Sequence, residues 1–312
     1  MGTLVPKERL VSANSLYNFT LMGAQFVGLV ILAPLVLRLG GDKGDEAMFM
    51  MASAMFALVA LAALPLRERG GGEKETSWVG LRRELSQALQ LLVQDRATIL
   101  ALVQLTIGNT LVLLFVTLMP RYTKDILNVS PANAAFIFAP TGIGALIGLR
   151  LLPWAARNFG KEKLVPMGLL GIAFSLLMLA LVQPIAYFME RAPRPLNPQD
   201  LLGLSLLQLL TMVFAGPLGL CYAFLNAPAQ TVLHERAPQN MRGRIFTAQG
   251  IISQSVSLLP VILIGAITDV LDAFTGLPGI VLTLLIIALG LGLAALINFW
   301  LLQRWGLAEA KA

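Results

Sequence analysis

The chain has 312 residues, of which 57% are hydrophobic and 13% charged, with a formal charge of +6 and a mean hydropathy of +0.77. Soluble domains carry about 25% charged residues, so this composition excludes an ordinary soluble enzyme and makes the lipid bilayer the chain's principal partner. The basic balance is not a nucleic-acid signature, because cytoplasmic loops of membrane proteins collect Lys and Arg. Cys221 is the single cysteine and His234 the single histidine, which excludes an internal disulfide and any multi-Cys or multi-His metal site. No cofactor is implied. Lys7, Glu8 and Arg9 precede a long apolar span without a cleavage site, so no signal peptide is expected.

A membrane-spanning helix needs about 20 mostly apolar residues. Eight stretches qualify, and the expected fold class is an all-α polytopic membrane protein. They are Ala13–Leu37, Glu46–Leu66, Thr98–Met119, Ala132–Leu152, Leu164–Phe188, Leu201–Leu225, Phe246–Asp269 and Leu277–Leu302. With the N-terminus taken as cytoplasmic, 17 of the 23 Lys and Arg fall in the inner segments. That bias supports a multi-pass protein of the inner (plasma) membrane with both termini cytoplasmic.

Between the second and third spans, Arg67 to Asp95 is the longest polar interruption. It opens with R-E-R-G-G-G-E-K-E-T-S, a flexible linker by composition. Trp78, Leu81, Leu85, Leu89 and Leu92 then recur at helical spacing with Arg82, Arg83 and glutamines elsewhere on the wheel. An amphipathic helix at the cytoplasmic interface is expected there; a partner-binding helix is the alternative. Pro193, Pro195 and Pro198 forbid a regular helix in the loop before the sixth span.

Asn226 to Pro260 organises the rest. Two apolar helices flank a tight charged turn carrying His234, Glu235, Arg236, Arg242 and Arg244, with Gly243 placed to turn the backbone or pack closely. The N-terminus echoes this stretch: Pro6, Lys7 and Glu8 precede Ala13, Asn14 and Ser15, as Pro238, Gln239 and Asn240 precede Thr247, Ala248 and Gln249. If the two are equivalent points of a repeat, the period is six spans and a complete chain would hold twelve.

At these residues the sequence resembles the major facilitator superfamily, in particular its macrolide-efflux and enterobactin-exporter-like permeases. The likeness rests on V-P-K-E-x-L-x-x-A-N-S at Val5 to Ser15 and P-x-x-x-R-G-R-x-F at Pro238 to Phe246. It includes G-I-G-A-L-I-G-L-R at Gly142 to Arg150 with N-F-G-K-E-K at Asn158 to Lys163. The resemblance implies that Met1 falls where the family's fifth helix starts and that the first four helices are absent. Residues 1–66 would then be two spans of an N-terminal bundle, 67–96 a linker, and 97–312 a complete six-helix bundle.

Polar side chains within spans need partners or a water-filled cavity. Asn14, Asn18 and Gln25 share a face of the first span, and Thr106, Asn109, Thr110 and Thr117 a face of the third. Gln208, Thr211, Tyr222 and Asn226 do so on the sixth, and Thr247, Gln254 and Ser257 on the seventh. Together they are expected to line a cavity for a small-molecule substrate of mixed polarity; interhelical hydrogen bonding is the competing reading. Arg242, Gly243 and Arg244 are expected to serve a cytoplasmic loop or gate. Gly144 and Gly148 are spaced for close helix contact, as are Gly290 and Gly292 with Ala294. Pro140, Pro217 and Pro260 are expected to kink their helices.

No span interior carries a carboxylate or a cation, and Asp269 and Asp272 lie near an outer end. Any coupling to a proton is therefore expected in the absent helices. No nucleophile with a base and no phosphate loop is found, so the chain is not expected to be an enzyme. The functional expectation is an efflux permease for a small amphipathic molecule, acting by alternating access and inactive if truncated. A non-transporting structural or regulatory membrane protein is the alternative, and a membrane-embedded lipid enzyme a more distant one.

Overall fold

The computed structural model describes residues 24, 27–63, 95–130, 134–191, 203–238, 242–276 and 278–305. The chain divides into two compact units, Met1–Lys74 and Glu75–Ala312. In the first, a π-helical turn at Val27–Leu32 leads into α1 (Ala33–Gly40) and, after a short 3-10 turn, into α2 (Gly44–Ala63). Gly41 between them has φ +51, a left-handed conformation that side chains resist. Phe49, Met50, Phe56 and Val59 of α2 are exposed, as suits a helix facing hydrocarbon or another apolar surface.

The second unit holds α3 (Arg96–Asp125), α4 (Ala134–Phe159), α5 (Lys161–Ala180), α6 (Val182–Glu190), α7 (Leu206–Arg236), α8 (Arg242–Thr275) and α9 (Gly279–Arg304). Six of these, all but α6, are long and apolar enough to cross a membrane; Glu46–Ala62 in the first unit is shorter. Most of the first expected span, the linker, the amphipathic helix at Trp78 to Leu92 and the proline-rich loop lie outside the described residues. The described helices confirm an all-α architecture, and Leu146, Phe174, Leu259, Ile262 and Leu293 lie exposed on its outside. Hydrocarbon accepts such a surface, provided that the backbone groups are satisfied within the helices.

Local chemistry sets the helix ends. Asp95, extended, precedes α3 and accepts from Thr98 Oγ1 at 3.1 Å. Ser205 and Gln208 close a capping box at the start of α7, each side chain bonding the other's backbone at 3.2 and 3.0 Å. The expected fifth span is broken at Leu181 (φ −95, ψ 10). Pro184, three residues on, has no N–H with which to continue the ladder to Ala180. Elsewhere α4, α7 and α8 run through Pro140, Pro217 and Pro260 without ending. The charged turn is tighter than the sequence implied. His234, Glu235 and Arg236 form the last turn of α7 and Arg242 the first residue of α8.

Helix α7 is the hub. A Cβ on Gly144 of α4 would run into the Gly216 carbonyl of α7, and one on Gly219 of α7 into the Thr141 carbonyl of α4. The Gly148 position would come within 2.7 Å of the Leu220 oxygen, and that of Gly168 on α5 within 2.7 Å of the Cys221 oxygen. Small residues thus let the backbones touch, which drives association where no hydrophobic force acts between helices. The expectation for Gly290 and Gly292 is corrected: a Cβ at either meets nothing within 4 Å. Leu114, Leu169, Leu176, Leu225 and Ile280 form the buried core. Phe138 packs edge-on against Phe115 and Tyr122, with centroids 5.1 and 5.8 Å away.

Contacts at the helix ends fix the alternation. Arg121 near the end of α3 reaches Asp269 and Asp272 near the end of α8, and Asp272 accepts from the Gly279 N–H at the start of α9. At the opposite end Asp95 pairs with Arg236 at 3.4 Å, and Arg96 lies 5.6 Å over the Trp305 ring. Helices α3 and α8 are therefore parallel, and α7 and α9 run against them. Arg96, Arg157, Arg236 and Arg304 lie toward one end, here termed the basic end.

Candidate functional site

The polar residues of α3 are joined to α8 by a ladder. Thr106 Oγ1 lies 3.1 Å from Ser253 Oγ, Asn109 Nδ2 donates to Ser257 Oγ at 3.0 Å and to the Ser253 carbonyl at 3.4 Å, and Thr110 Oγ1 lies 2.7 Å from Ser257 Oγ. Ser253 and Ser257 are fully buried, with Gln249 donating to Ser253 at 3.0 Å. Parallel packing of the two helices brings together groups some 147 positions apart in sequence. Asn109 and Thr110 are thus engaged with α8, the geometry of interhelical bonding. Ser253 was missed in the sequence; its place four residues before Ser257 and four after Gln249 was the available signal.

A second polar row lies on α7. Asn226 Nδ2 donates to Tyr222 Oη at 2.6 Å, and Gln230 Nε2 to Asn226 Oδ1 at 2.8 Å. The row is half-buried at Tyr222 and Asn226 and exposed at Gln230. The Tyr222 ring packs at the Gly108 position of α3. Asn226 stands ten residues from the end of α7, about 15 Å along the axis, near the middle of a hydrocarbon core about 30 Å thick. No hydrogen bond among the described residues joins this row to the α3–α8 ladder.

The other expected site residues are dispersed. The Gln208 amide serves the α7 cap. Gln254 is exposed on α8, and Thr117 and Thr247 bond carbonyls of their own helices. Asn14, Asn18 and Gln25 lie outside the described residues. Gly243 is exposed within the first turn of α8 with open space around it, so it neither reverses the chain nor permits a close approach. Arg244 is exposed on the same turn. Cations at a helix N-terminus oppose the dipole by about 0.3–1 kcal/mol each, so helix stability does not account for R-G-R there. The turn itself is held by Leu233, Ala237, Ile245 and Ala248, all buried. His234 stacks on Phe246 across it, with ring centroids 4.1 Å apart.

The sequence reading also missed the ion cluster at the end away from the basic one. Arg121 Nε bonds Asp125 at 3.3 Å and Nη1 bonds Asp269 at 2.6 Å, while Nη2 bonds Asp272. Three carboxylates converge on one guanidinium whose forked donors can serve all of them. The i,i+4 spacing of Arg121 and Asp125 and the i,i+3 spacing of Asp269 and Asp272 were legible. Their convergence was not.

Among the described residues no group of three or more metal-ligating side chains occurs. A cleft of about 460 Å³ opens between α3, α8 and α9, and an apolar cavity of about 40 Å³ lies beside Tyr122 and Phe138. Long parallel and antiparallel apolar helices, glycine-packed and joined by polar rungs, define a polytopic helical membrane protein. A family model described as Major Facilitator Superfamily matches residues 1–261. The chain belongs to that superfamily of membrane transporters. No curated protein and no solved structure matches it.

Proposed function

We propose that the chain works as an efflux permease for a small amphipathic molecule, exposing a midplane site alternately to the two sides by rocking of bundles. The observation that carries the proposal is the Tyr222–Asn226–Gln230 row. It is a polar strip at mid-membrane depth whose groups bond one another along the helix rather than a neighbouring helix. Such a strip can exchange its internal bonds for bonds to a ligand. Gln254, exposed on α8, is proposed as a further lining candidate. Arg242, Gly243 and Arg244 are proposed to form the cytoplasmic gate, the basic end lying in the cytoplasm of a plasma-membrane protein with both termini inside.

The test is reconstitution of the full chain into proteoliposomes loaded with a fluorescent amphiphilic dye. The protein is expected to accelerate dye movement over that in protein-free vesicles, and Asn226→Leu to slow it about tenfold, corresponding to one lost interaction of about 1.4 kcal/mol. Asn226→Leu with wild-type movement would remove the row from the transport path. Absence of protein-dependent movement by the wild-type chain would refute the permease reading.

A further inference from the structure

We propose that the cleft between α3, α8 and α9 holds one acyl chain of an anionic phospholipid whose headgroup sits at Arg96 and Arg304, as a bound lipid distinct from any transported molecule. The cleft has a volume of about 460 Å³ and is walled by Val103, Ile107, Leu114, Val256, Ile287 and Gly290, among others. Thr106 and Thr110 also line it, but their hydroxyls are engaged: each donates to the carbonyl four residues back, at 2.8 Å, and each lies against a serine of α8. The cleft thus offers an occupant methyl and methylene surface. All three helices qualify as membrane spans, so an alkyl chain is the matching occupant.

The charge at one end of the cleft specifies the headgroup. Arg96 shares a face of α3 with Val103, Ile107, Thr110 and Leu114, at offsets of 7, 11, 14 and 18 residues. Val103 lies about 10 Å along the axis from Arg96, and Leu114 about 27 Å. A lipid headed at Arg96 has its phosphate in the interfacial layer and its tail end at the midplane, about 20 Å away, half of the thickness that includes both headgroup layers, so the tail runs past Val103 and Ile107 to the depth of Thr110. The Arg96 guanidinium lies 5.6 Å over Trp305, which follows α9, and that of Arg304 lies 4.9 Å over Trp300. Among the described residues neither arginine has a carboxylate partner, and the adjacent Asp95 is engaged by Arg236 and Thr98. Two cations with no carboxylate partner among the described residues, held against interfacial indoles at the ends of two helices that wall the cleft, match a phosphate.

Gly290 makes the inference testable. It is exposed on α9, lines the cleft, and has nothing within 4 Å of where a Cβ would stand. A Cβ there has room, so a larger side chain can be grown from it into the cleft. The experiment is native mass spectrometry and thermal unfolding of the purified full chain in neutral detergent. The lipids added are phosphatidylglycerol and phosphatidylcholine of matched chain length. The wild-type chain is expected to retain one phosphatidylglycerol, preferred over phosphatidylcholine by about fivefold for each cation engaged, and to melt higher in its presence. Gly290→Phe is expected to melt as the wild type does without lipid but to lose at least about nine-tenths of the bound phosphatidylglycerol, a tenfold effect. Should the phenyl destabilise the fold, Gly290→Leu serves as the filling variant. Arg96→Gln is expected to keep alkyl binding and to cut the preference for phosphatidylglycerol about fivefold, leaving the share due to Arg304. Undiminished phosphatidylglycerol binding by a well-folded filling variant, or equal retention of the two lipids by the wild type, overturns the proposal. Transport activity plays no part in the readout, so the result is independent of the permease reading.

Discussion

Ser257→Ala tests whether the α3–α8 ladder holds the bundle together. The serine is fully buried and lies against two α3 side chains, Asn109 at 3.0 Å and Thr110 at 2.7 Å. Its loss strands no donor: Thr110 keeps the Thr106 carbonyl at 2.8 Å and Asn109 the Ser253 carbonyl at 3.4 Å. The penalty is therefore that of two interhelical bonds without an added desolvation term. Such bonds contribute about 0.6 kcal/mol each on average within membranes and about 1.7 at most. Ser257→Ala should thus destabilise by about 1.2 kcal/mol. The assay is reversible unfolding in mixed micelles of increasing denaturing-detergent fraction. A cycle with Asn109→Ala should give a coupling of about 0.6 kcal/mol. A neutral Ser257→Ala, together with zero coupling, would refute the reasoning and return these residues to a solvated cavity.

Gly144→Leu should abolish the folded bundle, because the new side chain drives α4 from α7 at the Gly216 carbonyl; a monodisperse, wild-type-like peak in size-exclusion chromatography would contradict this. Asn298→Leu should stabilise by about 1 kcal/mol, since Asn298 Oδ1 is buried with no hydrogen-bond partner among the described residues and a buried orphan is more costly than an apolar isostere; a lowered melting temperature would show that the amide is bonded. Arg121→Gln should destabilise by about 1.5 kcal/mol by releasing Asp269 and Asp272, with the loss shrinking in high salt; a salt-independent effect would point to packing instead. Reporter fusions after Lys74 and Lys161 should read cytoplasmic and those after Lys124 and Pro195 external; a cytoplasmic signal at Lys124 would overturn the arrangement.

The sequence by itself determined the class of fold. Apolar runs of spanning length and sparse charge leave a buried-backbone helix as the solution in lipid, and the six spans of the second unit fall close to where composition put them. It also marked Gly144 and Gly148, because small residues four apart form a flat strip on any helix. Periodicity, however, reports only which residues share a face of one helix, not what that face meets. Asn109 and Tyr222 both satisfied the pattern of a polar face. Only the packing decided that Asn109 bonds Ser257 of α8 while Tyr222 sits on α7 beside Gly108. The same limit hid the convergence of Asp125, Asp269 and Asp272 on Arg121 and the empty flank of Gly290. Hydrogen bonds and close approaches depend on relative helix rotation and depth, and neighbours more than a hundred residues apart set these, not the residues that make the contact.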